Sequence, residues 1–158
     1  MKNKILVALC GILIALISST VTKAQTSPVA QPSLLENYPW TSHDLIEPET
    51  LAGMIKDTPA KLLLILNIGA VEDIKGAKHI GAANKAEYMA ALKNTVSTLP
   101  KNASIVIYCG CCPFTKCPNV QPAFKELKVM GFTNVRLLNL PVNLHTNWTS
   151  KGYPLASN

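Results

Sequence analysis

The stretch that most constrains this chain runs from Ser104 to Asn119. Ile105-Val106-Ile107-Tyr108 is a short apolar run that ends in Cys109. A loop follows with Cys111, Cys112 and Cys117, so four of the five cysteines share one segment, and a helical pattern begins at its far end. A run of this kind reads as a strand covered on both faces. Pro122 is tolerated only in the first turn of a helix, which sets the helix start close to Cys117 or Pro118. That helix spans residues 119–130 and is stopped by Gly131. A fold does not need this density of thiols in one loop; chemistry of sulfur or of a soft metal does.

The rest of the chain repeats the strand–helix alternation. Glu47-Pro48-Glu49-Thr50 opens a helix, with proline suited to its first turn and acids facing the positive helix end; Leu51, Met54 and Ile55 form its apolar face. Leu62 to Leu66 is a continuous apolar run and predicts a strand buried on both faces. Asn67 to Gly76 reads as a loop, and His79 to Ala83 as a short strand or turn. Ala86 to Thr98 reads as a helix with Met89, Leu92 and Val96 on one side, and Asn134 to Leu138 as a further strand. Strands alternating with helices predict an α/β domain with a mainly parallel central sheet flanked by helices on both faces.

The N-terminus sets an expected compartment. A basic start with Lys2 and Lys4, an apolar run from Ile5 to Ile17, and Thr22-Lys23-Ala24 before Gln25 read as a signal peptide over residues 1–24. The run is short for a membrane span, so no stable membrane insertion is expected after its removal. Cys10 reads as an apolar filler within it. Gln25 to Asn37 is polar with Pro28 and Pro32; residues 25–44 are assigned to a flexible leader and residues 45–158 to the domain, although the pattern already turns globular at Tyr38. Loss of Lys2, Lys4 and Lys23 lowers the formal charge from +6 to +3. The remaining lysines are scattered, with no basic stripe interleaved with aromatics, so nucleic acid is not an expected partner. Export to the periplasm or outside the cell puts the loop thiols in an oxidising space, where they are disulfide-bonded, metal-bound or catalytically cycled.

In a parallel α/β sheet, ligands sit outside the carboxyl ends of the strands. Cys109 stands at such an end, ahead of a helix N-terminus whose free N–H groups favour a thiolate. Position alone therefore marks Cys109 as reactive.

Several segments, in order, resemble the rhodanese domain, the sulfurtransferase fold. They are Leu62 to Gly69, Lys78-His79-Ile80-Gly81-Ala82, Ile105 to Cys109, Met130-Gly131-Phe132-Thr133-Asn134-Val135, and Trp148 to Pro154. The likeness covers roughly residues 45–155. It implies that Cys109 is the nucleophile that accepts a sulfane sulfur, from thiosulfate or a related small donor, as a persulfide and passes it to a thiol acceptor. It requires no cofactor. It also implies that Gly110 to Cys117, including Phe114, Thr115 and Lys116, forms the backbone cradle for substrate or anion. The chain departs from the family pattern in three places. The loop is longer, the only arginine of the chain is Arg136 on a later strand, and Asn67-Ile68-Gly69 stands where the family often has an acid and an arginine. Lys116 offers a point charge but no bidentate fork. These departures turn the expectation away from thiosulfate.

The neighbouring cysteines support three readings. Cys117 or another neighbour resolves Cys109 by thiol exchange, with Cys117 favoured because a position near the helix start should make it partly thiolate. Or Cys109, Cys111, Cys112 and Cys117 bind a soft ion, copper(I) or zinc, although Cys-x-Cys-Cys-x4-Cys matches no standard zinc spacing. Or disulfides such as Cys112–Cys117 or Cys109–Cys112 stiffen the loop of a binding module. His79 reads as a structural hydrogen-bonding residue, His43 and His145 as surface or rim residues, and Trp148 and Tyr153 as packing aromatics.

Overall fold

The computed structural model describes residues 38–57, 59 and 62–157; the expected signal peptide and the leader up to Asn37 lie outside them. Five strands form one sheet: β1 (Leu45–Ile46), β2 (Leu64–Asn67), β3 (Ala77–His79), β4 (Ile105–Tyr108) and β5 (Val135–Leu138). Their spatial order is β1-β5-β4-β2-β3, and every pairing is parallel. The helices are α1 (Pro48–Asp57), α2 (Ala86–Val96), α3 (Val120–Val129) and the single turn α4 (Leu144–Asn147). None of them is long and apolar enough to cross a membrane.

The α/β reading is correct, and the strand alternation shows why. β4 is central and buried at every residue. Successive side chains point to opposite faces. Ile105, Ile107 and Cys109 join the core beneath α2 and α3, with Leu92, Val96, Val120, Phe124 and Leu127. Val106 and Tyr108 join the opposite core, with Leu51 of α1, Leu144 of α4, and Trp148. Helices thus cover both faces. Helix α3 buries Val120, Ala123, Phe124 and Leu127, one stripe at helical spacing. It ends as a glycine stop should: Gly131 has φ +87°, its N–H donates to Lys128 O, and the Phe132 N–H donates to Leu127 O.

Several boundaries differ from expectation. The strand expected from Leu62, β2, starts at Leu64, because Leu62 lies outside the sheet and is exposed. Strand β3 is Ala77–His79, upstream of the predicted His79–Ala83; Ile80 and Ala83 instead donate backbone bonds to Asn67 O and Ile68 O. The edge strand β1 was not predicted at all. The cysteine-loop helix begins at Val120, with Pro122 in its first turn. The packed domain also begins earlier than residue 45. Trp40 is 2% exposed, stacks on Tyr38, and meets Phe114 and Phe124.

Candidate active site

The chain leaves the sheet at Cys109, at the carboxyl end of β4, and turns through Gly110 at φ +83°. A side chain at Gly110 would be strained in that conformation and would also meet Leu144 Cβ at 2.8 Å. Cys109 is 2% exposed. Gly69, just past the end of β2, lies against it so closely that a Cβ there would sit 2.6 Å from Cys109 Sγ. From α3's start, the Asn119 amide donates to Cys109 Sγ at 3.3 Å, while its oxygen accepts from Asn84 N–H at 3.1 Å. Cys111 Sγ lies 3.3 Å from Cys109 Sγ and 3.5 Å from Cys112 Sγ. The sulfurs of Cys109, Cys111 and Cys117 all lie within 4.8 Å of one another.

This arrangement divides the proton inventory unequally. Cys109 is lowered to about 5, first by the Cys117 thiol that donates to it, then by the Asn119 amide and by Cys111, whose backbone N–H and thiol both point at it; burial opposes these donors and loses. Cys117 is pushed well up, because its proton is held in the bond to Cys109 and because it is buried. Cys111 is pushed up to about 12 by the partial desolvation of its sulfur and by the Cys109 charge beside it. The site therefore holds one thiolate, at Cys109, supported by protonated neighbours. The expectation that Cys117 is partly thiolate is corrected: it is buried and acts as a hydrogen-bond donor.

Beneath the site, the segment from Gly69 to Ile74 is fixed from several sides. Asn67, fully buried, accepts from Gly69 N–H at 3.0 Å and donates to Val71 O and Asp73 Oδ1, each at 2.8 Å. His79 Nδ1 lies 2.9 Å from Asp73 Oδ1, the structural role expected of it. Tyr108 Oη accepts from Ile74 N–H at 2.9 Å and donates to Glu72 O at 3.3 Å. Its buried hydroxyl is raised far above its ordinary range. The C-terminal segment closes the other side, with Thr149 Oγ1 donating to Glu72 Oε1 at 3.0 Å. Between them opens a cavity of about 350 Å³ lined by Val71, Glu72, Gly110, Cys111, Asn143, Leu144 and His145.

The structure brings Cys109, Cys111 and Cys117 together and keeps Cys112 beside Cys111. It does not form the expected cradle from the whole loop. Phe114 N–H donates to Leu140 O beyond β5, while Lys116 N–H donates to Pro113 O and Cys117 N–H to Phe114 O inside the loop; these three amides are spent. Phe114 is buried against Trp40 and serves packing. Thr115 is half-buried, Lys116 is exposed, and neither lines the cavity. Arg136 packs on Met54 of α1. Sequence reasoning missed Asn119 and Gly69. The signal for Asn119 was its place just ahead of α3, where a polar side chain can reach the preceding loop.

No protein-family model and no curated protein matches this chain. Among solved structures it is similar to wild-type EanB, at 18% identity and a TM-score of 0.51, over 70% of this chain and 27% of that one. Two structures of EanB variants match over the same shares at 19% identity, with the same TM-score. One carries a cysteine persulfide in a tetrahedral intermediate state with ergothioneine, and the other is a complex with hercynine. The chain thus spans about a quarter of EanB's length. The likeness shows that this arrangement of parallel strands and helices is shared with a segment of that protein.

Proposed function

We propose that this chain is an exported, rhodanese-like sulfurtransferase that carries sulfane sulfur as a persulfide on Cys109. The observation that carries the reading is the preformed Cys109 thiolate at a strand's carboxyl end, held by Asn119, Cys111 and Cys117 donors. Such a thiolate attacks the outer sulfur of a persulfide or polysulfide donor. The donor's S–S bond breaks, its electron pair leaves with the donor thiolate, and the sulfur stays on Cys109. The same donors that stabilise the thiolate stabilise the persulfide anion and, later, the departing Cys109 thiolate. An EanB variant's structure also holds a cysteine persulfide, in a chain of which about a quarter matches this fold. The lining of the cavity beside the site contains Glu72 and no lysine or arginine, so it offers no fixed cation that would select thiosulfate among sulfane-sulfur donors. A thiol is the acceptor.

Intact-mass and peptide mapping after exposure to inorganic polysulfide tests this. One added sulfur on Cys109, removed by cyanide and absent in Cys109→Ser, is the expected result; undiminished sulfur transfer by Cys109→Ser would overturn the assignment. Export is tested by N-terminal sequencing of the protein from the periplasm, with a start at Gln25 expected.

The three sulfurs within 4.8 Å favour one second reading, a copper(I)- or zinc-binding module. Three thiolates suit copper(I) better, since structural zinc takes four ligands. A stoichiometric metal in the purified protein, lost in Cys117→Ser, would establish it.

A further inference from the structure

We propose that Cys111 is the exit thiol of this site: it takes the outer sulfur from the Cys109 persulfide and presents it to the external acceptor. The inference rests on the reading of Cys109 as a persulfide carrier.

Access is the first argument. Cys109 is 2% exposed, and Gly69 backbone, Asn119 and Cys117 crowd its sulfur. Cys111 is exposed and forms part of the cavity wall beside Asn143 and His145. A bulky acceptor thiol can meet Cys111 where it cannot reach Cys109.

Reach is the second. The two sulfurs lie 3.3 Å apart, with Gly110 at φ +83° between them. An outer sulfur one S–S bond, about 2 Å, from Cys109 Sγ can therefore be swung to Cys111 Sγ by rotation about the Cys109 Cβ–Sγ bond, without a movement of the loop.

Direction is the third. Thiol exchange proceeds fastest when the more acidic thiol leaves, and at equilibrium the sulfur favours the more basic partner. Cys109 Sγ receives the Asn119 amide at 3.3 Å, so attack on the outer sulfur expels the Cys109 thiolate back into a standing donor, which favours transfer outward. Cys117 is a poor alternative, because it is buried and leads to no open surface.

The step balances without an oxidant or reductant. Cys109–S–S⁻ and Cys111–SH give Cys109–S⁻ and Cys111–S–SH. The S–S bond of the Cys109 persulfide breaks, a bond from Cys111 Sγ to the outer sulfur forms, and the electron pair returns to Cys109 Sγ. The Cys111 proton ends on the transferred sulfur. An acceptor thiolate then takes that sulfur and leaves Cys111 as a thiolate, which regains a proton from water.

The experiment loads wild type and the Cys109→Ser, Cys111→Ser and Cys117→Ser variants with inorganic polysulfide under anaerobic conditions. After desalting, it follows sulfur transfer to a reduced protein thiol and locates the sulfur by alkylation and fragment-ion mass spectrometry. In wild type, sulfur is expected first on Cys109 and then on Cys111. Cys111→Ser should take up one sulfur on Cys109 but deliver it roughly tenfold more slowly to the protein thiol. Delivery by Cys111→Ser at the wild-type rate would overturn the exit role while leaving the carrier reading intact. Release of sulfide with a Cys109–Cys111 disulfide would also overturn it, since attack would then fall on the inner sulfur. Loading of Cys109→Ser to the wild-type level would remove the carrier reading and the exit role with it.

Discussion

Gly69→Ala tests the tightest contact of the site. The added Cβ would stand 2.6 Å from Cys109 Sγ, 2.8 Å from Cys109 O and 3.1 Å from Cys109 Cα. Non-bonded carbon contacts settle near about 3.5–4.0 Å, so the methyl overlaps its neighbours by about 1 Å. Two of the three atoms are backbone at the end of the central strand, which cannot rotate away. Overpacking of this kind costs about 1–3 kcal/mol. At about 4 °C per kcal/mol for a domain of this size, the melting midpoint falls by about 4–12 °C. Gly53→Ala is the internal control: it lies within α1 with nothing within 4 Å of its Cβ, and should gain about 0.5–1 kcal/mol from helix propensity. Thermal melts of the reduced proteins, read by circular dichroism, give both numbers. The same displacement pulls Cys109 Sγ off the Asn119 amide, so alkylation of Cys109 at pH 6 should slow in Gly69→Ala and stay unchanged in Gly53→Ala. If Gly69→Ala melted with wild type and was alkylated as fast, the close approach of the β2 end to Cys109 would be refuted.

Four further outcomes follow from the geometry. Alkylation of Cys109 should reach half its maximal rate near pH 5, and Asn119→Leu should move that midpoint upward; an unmoved midpoint would remove Asn119 from the set of thiolate donors. Because the folded protein holds Cys109 below its unfolded value, this group adds stability as pH rises from about 5 toward 9 and loses it as pH falls back; denaturant melts of the reduced wild type and Cys109→Ser should diverge in that direction. Tyr108→Phe leaves the Ile74 N–H without its partner and should cost about 1–3 kcal/mol, measured by urea unfolding, whereas Lys116→Ala, exposed and away from the cavity, should leave sulfur uptake from polysulfide unchanged.

The position of Cys109 was legible because local signals agreed. A buried strand and a proline-limited helix start lie within one continuous segment, and each is a property of a few neighbouring residues. The two-residue strand β1 carried no such signal. It exists because Leu45 and Ile46 meet Leu137 and Leu138 across the sheet, and so short a segment has no period to read. The placement of Phe114 as a core residue depended on Trp40, which lies far upstream and had been assigned to a flexible leader. The loop amides were expected to surround an anion together, but those of Lys116 and Cys117 close the turn at Phe114–Lys116 and that of Phe114 bonds to Leu140 O.

The sequence by itself determined the α/β architecture, the parallel sheet, and Cys109 as the residue at a strand's carboxyl end, since hydrophobic period, helix stops and chain order are local quantities. The tertiary structure decided the proton distribution among the cysteines. Asn119, Cys111 and Cys117 converge on Cys109 from the loop and the start of α3, while Gly69 closes the site from the end of β2. Hydrogen bonds act over about 3 Å, and which of four cysteines is the thiolate, which is the buried donor and which faces the cavity depends on distances that residue spacing does not contain.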